Sequence, residues 1–204
     1  IAAIGEVMVI VSGGVDLSAG SVMGLSAVTF AALYTLQKWS APLCLAGAIS
    51  VGGLAGFVNG ALIGYAGLPP FIATLGMMSI AAGLSYMFTQ GLNISILWKE
   101  DPASVSIPLQ MLCDHSFIFM LVLCVAAAII LSRTVWGRYV YALGSNEECS
   151  RFSGLNVPWI KIGIYTFAGL FSGLAGTAYA LRYGYAATST GKGYELQIIA
   201  ACVV

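Results

Sequence analysis

The chain has 204 residues, of which 59% are hydrophobic and only 8% charged. Soluble domains carry about 25% charged residues, so this composition excludes an ordinary water-facing surface and points to one that faces lipid. Eight basic and eight acidic residues cancel, which removes the electrostatic footing that binding to nucleic acid needs. The 25 glycines fit close approach of helices inside a bilayer. Residue 1 is isoleucine, and both ends lie in apolar stretches, so an internal piece of a longer protein is expected.

In chain order, residues 1–11 read as apolar and residues 22–36 as apolar again. Between them lies Gly13-Gly14-Val15-Asp16-Leu17-Ser18-Ala19-Gly20-Ser21. Two half-length apolar segments around a glycine-rich, acidic break predict a discontinuous helix or a re-entrant turn. Such backbone is tolerated at membrane depth only where protein or water satisfies its polar groups. An ionisable residue in an apolar region marks a functional-site candidate, which makes Gly14, Asp16 and Ser18 a structural pivot beside a translocation path. The simpler reading is that Asp16 and Ser18 cap a helix starting near Ala19, and capping alone explains both residue types.

No charge occurs from Trp39 to Trp98, a run too long for one spanning helix of about 20 residues. Pro69-Pro70 divides it, because proline lacks the amide and clashes with the preceding turn. Helices are predicted over 43–65 and 70–90, joined by Ala66-Gly67-Leu68. Gly52, Gly53, Gly56 and Gly60 form a small-residue stripe that reads as a packing face rather than a binding site. Asn59, polar within the first of these spans, must bond another helix or line a cavity.

Further spans are predicted at 116–132 and 162–182. The loop over 133–161 holds Arg133, Arg138, Arg151 and Lys161, whereas 91–115 holds only Lys99 and 37–42 only Lys38. The positive-inside rule puts 133–161 in the cytoplasm and 91–115 outside, with Trp98 as an interfacial anchor. Arg182 and Lys192 then fall on the outer side, against the trend. Within 133–161, Asn146 is placed to cap a short amphipathic helix starting at Glu147 and Glu148. Gly154 is placed to end it and Val157-Pro158 to break the path before the next span. The residues alone fit an ordinary connector equally well. The polar tail 188–195 leads into an apolar end.

The five cysteines show no metal-ligand spacing and leave a Cys44–Cys113 pairing open, and the single histidine, His115, excludes a histidine-based metal site.

Three blocks give the chain a family likeness. The Gly13–Val22 segment, Asn59-Gly60 with Pro69-Pro70-Phe71-Ile72-Ala73-Thr74-Leu75-Gly76, and Gly137 through Val157 are similar to signatures of bacterial ABC sugar-importer permeases, and Gly193-Tyr194-Glu195-Leu196 also fits. The chain resembles the ribose, arabinose, xylose and autoinducer-2 branch. The resemblance implies an all-α polytopic membrane permease over 1–204, with broken helices and a cytoplasmic coupling loop at 133–161. It implies a pair of permease subunits, a pair of ABC ATPases, a periplasmic substrate-binding protein and a place in the bacterial inner membrane. ATP and magnesium would be bound by the ATPases, with no cofactor, metal or catalytic residue in this chain. Gly14, Asp16, Ser18 and Asn59 are then candidates for the pathway. Asn146, Glu147, Glu148 and Gly154 are candidates for ATPase coupling, with Cys149 and Ser150 where the family has alanines. A stand-alone secondary transporter or channel also uses broken helices, and a non-transporting scaffold is the third reading. The sequence does not distinguish a pentose, a hexose or a furanose-like substrate.

Overall fold

The computed structural model describes residues 1–96 and 115–203, and these are almost wholly helical. In chain order the elements are α1 (Ala2–Val11), α2 (Ala19–Thr35), α3 (Ala41–Gly64), α4 (Pro70–Thr89), β1 (Ile94–Ser95), α5 (Ser116–Arg133) and α6 (Val135–Ser145). They continue as α7 (Glu147–Phe152), α8 (Val157–Tyr183), β2 (Tyr185–Ala186) and α9 (Tyr194–Val203). Among the described residues, α3, α4 and α8 are long and apolar enough to cross a bilayer, and α5 with α6 makes a fourth candidate bent by 74°. The expected external loop lies mostly outside the described residues, with Trp98, Lys99 and Cys113. Cys44 is free and buried, its thiol donating to the Trp39 carbonyl at 3.5 Å.

Helix α8 begins five residues earlier than the sequence predicts, at Val157 rather than 162. Pro158 does not break the path. It sits in the first turn, where its missing amide has no helical partner to lose. Asn156 caps that turn by accepting from the Trp159 N–H at 3.4 Å.

The core is organised around α8, which packs against α3, α2 and α1. The glycine stripe of α3 is the contact surface, as its spacing predicts. A Cβ on Gly60 would lie 2.5 Å from Ile162 Cα, and one on Gly64 would lie 2.9 Å from the Pro158 carbonyl. Side chains on Gly52 and Gly56 would fall on the carbonyls of Gly169 and Tyr165. Rising numbers on α3 thus meet falling numbers on α8, so the two helices run antiparallel with backbones touching. Helix α2 is buried along most of its length. The strands pair antiparallel, Ile94 with Ala186 and Ser95 with Tyr185, tying the segment after α4 to the end of α8. Leu54, Phe57, Ile72, Ile80, Phe88, Leu121 and Val125 point outward from α3, α4 and α5, which suits hydrocarbon.

Candidate functional site

The first apolar segment ends as a helix because of Gly13, whose φ of +81° is the left-handed conformation glycine adopts at little cost. The Gly14 N–H donates to the Val9 carbonyl at 2.9 Å and the Gly13 N–H to Ile10 at 3.0 Å. This paired arrangement satisfies the last carbonyls of α1 and turns the chain inward. Gly14 is needed for space: a Cβ there would lie 2.5 Å from the Tyr165 hydroxyl of α8 and 3.2 Å from a Val9 methyl.

The break then delivers a buried polar cluster. Asp16 is 3% exposed, and Ser18 and Asn59 are fully buried. Asp16 Oδ1 accepts from the Ser18 N–H at 2.7 Å and from the Ser18 hydroxyl at 2.5 Å. The same hydroxyl oxygen accepts from Asn59 Nδ2 at 3.0 Å. Asn59 therefore bonds another element, as the helix-packing argument requires, and clamps α3 to the break. The capping expectation holds only in position. Ser18 precedes α2 but makes no side-chain cap to it. Its hydroxyl is already committed to Asp16, so it has no free geometry toward the first helical amides.

Glu6 completes the cluster, and it goes unnoticed in the sequence reading. It projects from α1, is 1% exposed, and its Oε1 accepts from the Asp16 N–H at 3.1 Å. The available signal was simple: Glu6 is the only charged side chain before Asp16. Tyr165, 2% exposed, brings its hydroxyl beside Gly14 from α8. The structure thus places Gly14, Asp16, Ser18 and Asn59 in one buried cluster and adds a second carboxylate and a phenol.

The other candidates sit at the α5–α8 connection. Thr134 Oγ1 accepts from the Gly137 N–H at 3.1 Å and starts α6. The sequence reading has no helix here. Gly137, Val140 and Leu143 form its buried face at helical spacing. Asn146 then caps α7 as expected, accepting from the Cys149 N–H at 2.9 Å. Gly154, at φ +84°, ends it, with the Leu155 N–H bonding the Ser150 carbonyl at 3.2 Å. Glu147 and Glu148 separate in role. Glu147 pairs with Lys161 at 2.7 Å, whereas Glu148 is exposed with no ion pair. Phe152, 84% exposed, projects from the same short helix.

The two sites are neighbours through one glycine. A Cβ on Gly144 would fall on the Val11 carbonyl and lie 3.2 Å from Ser12 Cα. The end of α6 thus rests against the end of α1, one residue before the break. Val140 and Leu143 share an apolar cluster with Met8, Val9, Ile164 and Tyr165.

A family model described as "branched-chain amino acid transport system / permease component" matches residues 1–204. The chain belongs to this permease family. The ribose import permease protein of Escherichia coli K12 is 34% identical over all of the chain and 64% of its own length. The fructose import permease protein of Rhizobium meliloti is 33% identical over 98% of the chain and 57% of its own length. The autoinducer 2 import system permease protein of Yersinia enterocolitica is 36% identical over 99% of the chain and 56% of its own length. The chain thus spans about three-fifths of the length of these curated relatives. No solved structure matches it. As a member of this family it is a polytopic helical membrane protein, and among the described residues no group of three or more His, Cys, Asp or Glu side chains is placed to hold a metal ion.

Proposed function

We propose that this chain forms the membrane core of an ATP-driven importer for a sugar or sugar-like solute, in the bacterial inner membrane. The partners in this reading are ABC ATPase subunits, a second permease and a periplasmic substrate-binding protein. ATP and magnesium act on the ATPases. The sugar class rests on the relatives whose names carry ribose, fructose and autoinducer 2.

The observation that carries the reading is α7. It is a six-residue helix capped at both ends by its own side chain and by a glycine turn, outside the packed core. A helix that short is not stable by propagation alone, so its caps preserve a shape rather than a core contact. Its exposed groups include Glu148, Arg151 and Phe152, which offer two charges of opposite sign and one aromatic anchor to a groove. Motion of α7 reaches α1 through α6 and the Gly144–Val11 contact, and so bears on the break at Gly13. In this reading α7 is the coupling helix, with Asn146 and Gly154 shaping it and Glu148 docking.

Copurification of the full-length permease with its ATPase tests the reading. Replacing Glu148 and Gly154 together, by lysine and leucine, is expected to abolish it. Solute uptake by the permease alone in liposomes, without ATPase or binding protein, would instead establish a secondary transporter or channel.

A further inference from the structure

We propose that Glu6, Asp16, Asn59 and Tyr165 frame a binding site for one small monovalent cation, a proton or a sodium ion, at the break between α1 and α2.

The argument starts from charge. Glu6 and Asp16 are both buried within a helical membrane core and lie within one hydrogen bond of each other. Among the described residues no lysine, arginine or histidine forms an ion pair with either. Among the described residues the one ion pair is Lys161 with Glu147, elsewhere in the chain. An uncompensated buried charge costs several kcal/mol even after relaxation, and two adjacent carboxylates repel as well.

Asp16 is compensated locally. Its Oδ1 takes two donors from Ser18, and it precedes the N-terminus of α2, where the helix dipole favours an anion. Glu6 has no such relief: Oε1 takes one backbone donor and Oε2 takes none. One positive charge is therefore missing, not two.

Independent of the carboxylates, two neutral oxygens have no side-chain partner. Asn59 Oδ1 is fully buried and unbonded. Its orientation is fixed, because the Ser18 hydroxyl gives its proton to Asp16 and must accept from the Asn59 amide. The Tyr165 hydroxyl is also buried, beside Gly14, with the Val15 backbone as its hydrogen-bonding neighbour and no side-chain partner. Four hard oxygen-bearing side chains with no sulfur or imidazole suit a proton or an alkali cation rather than a transition metal. The remaining titratable groups facing the cluster are Cys202 of α9, near Glu6, and Glu195 of α9, against Gly20 at the start of α2.

A ligand that binds only the folded state raises its melting temperature with concentration. The test is thermal unfolding of the purified full-length permease. One series varies sodium against choline at constant ionic strength and pH 8. The other varies pH from 6 to 8.5 without sodium. A sodium site gives a midpoint that rises with sodium. A proton site gives one that rises as pH falls and ignores sodium. In either case Glu6→Gln, neutral and of the same shape, flattens the response, and Glu195→Gln keeps it. Tyr165→Phe, which removes one oxygen and keeps the ring packed, moves the half-response by about tenfold in cation concentration; this holds the test open if Glu6→Gln fails to fold. A wild-type midpoint insensitive to both series overturns the proposal. So does a response unchanged in both Glu6→Gln and Tyr165→Phe, or stabilisation by calcium or magnesium alone. None of these outcomes depends on the ATPase, so the importer reading stands or falls separately.

Discussion

At the scale of single residues, Asn59 is the side chain on which the break depends most directly. It is the only link by hydrogen bond from α3 to the Asp16–Ser18 turn among the described residues. Asn59→Ala leaves the Ser18 hydroxyl with its donor role and without its acceptor role, in a site closed to water. Loss of such a bond costs about 1–3 kcal/mol, which should appear as a lower denaturation midpoint for the full-length protein. Asn59→Asp is expected to be worse than alanine, because it places a third carboxylate beside Glu6 and Asp16. Equal midpoints for the two variants would show that residue 59 does not face the carboxylates. The sequence made Asp16, Ser18 and Asn59 visible separately, since each is a polar residue where apolar ones are expected. Their meeting was not visible, because Asn59 lies 43 positions after Asp16 and the packing of α3 against α2 and α8 closes that distance. Glu6 escaped for the opposite reason: its apolar neighbours on both sides make the segment read as hydrophobic when averaged.

At the scale of elements, glycines divide into those that set helix separation and those that do not. A methyl on Gly56 would fall on the Tyr165 carbonyl, which is backbone and has no rotamer to escape into. Gly56→Ala must therefore spread α3 from α8, and overpacking of this kind costs about 1–3 kcal/mol. Gly83, on α4, has nothing within 4 Å of the same methyl. Gly83→Ala is expected to be neutral or to stabilise by up to about 1 kcal/mol through helix propensity. Comparable losses in denaturation midpoint for both would contradict the helix faces described above. Gly144→Ala belongs to the same class as Gly56→Ala, but acts between α6 and α1. In the importer reading it lowers solute-stimulated ATP hydrolysis more than it lowers ATPase copurification. Spans α3, α4 and α5 were legible to within a few residues, because length and hydropathy alone define them. Helix α6 was not, since it contains two glycines, two tyrosines and an arginine, a composition that reads as loop. What makes it a helix is the Thr134 cap and the burial of Gly137, Val140 and Leu143, and that face is covered only once α5, α1 and α8 are in place.

For the whole molecule, the question is how a polar surface element addresses a buried cluster between α1 and α2. The chain from α7 through α6 to α1 is continuous in contact: a capped helix, a glycine–carbonyl junction, and a helix end turned by Gly13. Its outer end separates two adjacent glutamates, which gives a test with an internal control. Glu147 is held by Lys161, and the carboxylate is about half exposed. A surface pair of that kind contributes roughly 0–1 kcal/mol, so in the importer reading Glu147→Gln is expected to leave ATPase association within about fivefold of wild type. Glu148→Lys reverses the one acidic charge on α7 that no ion pair holds, and Phe152→Ala removes its aromatic anchor. Buried anchors of this type cost more than about 2 kcal/mol when truncated, so each is expected to weaken association by at least about thirtyfold. Binding of the ATPase to full-length permease in nanodiscs gives the three affinities directly. If Glu147→Gln weakens binding as much as Glu148→Lys, the partner meets α7 from the Lys161 side, and the helix transmits force through α8 instead of through Gly144 and α1.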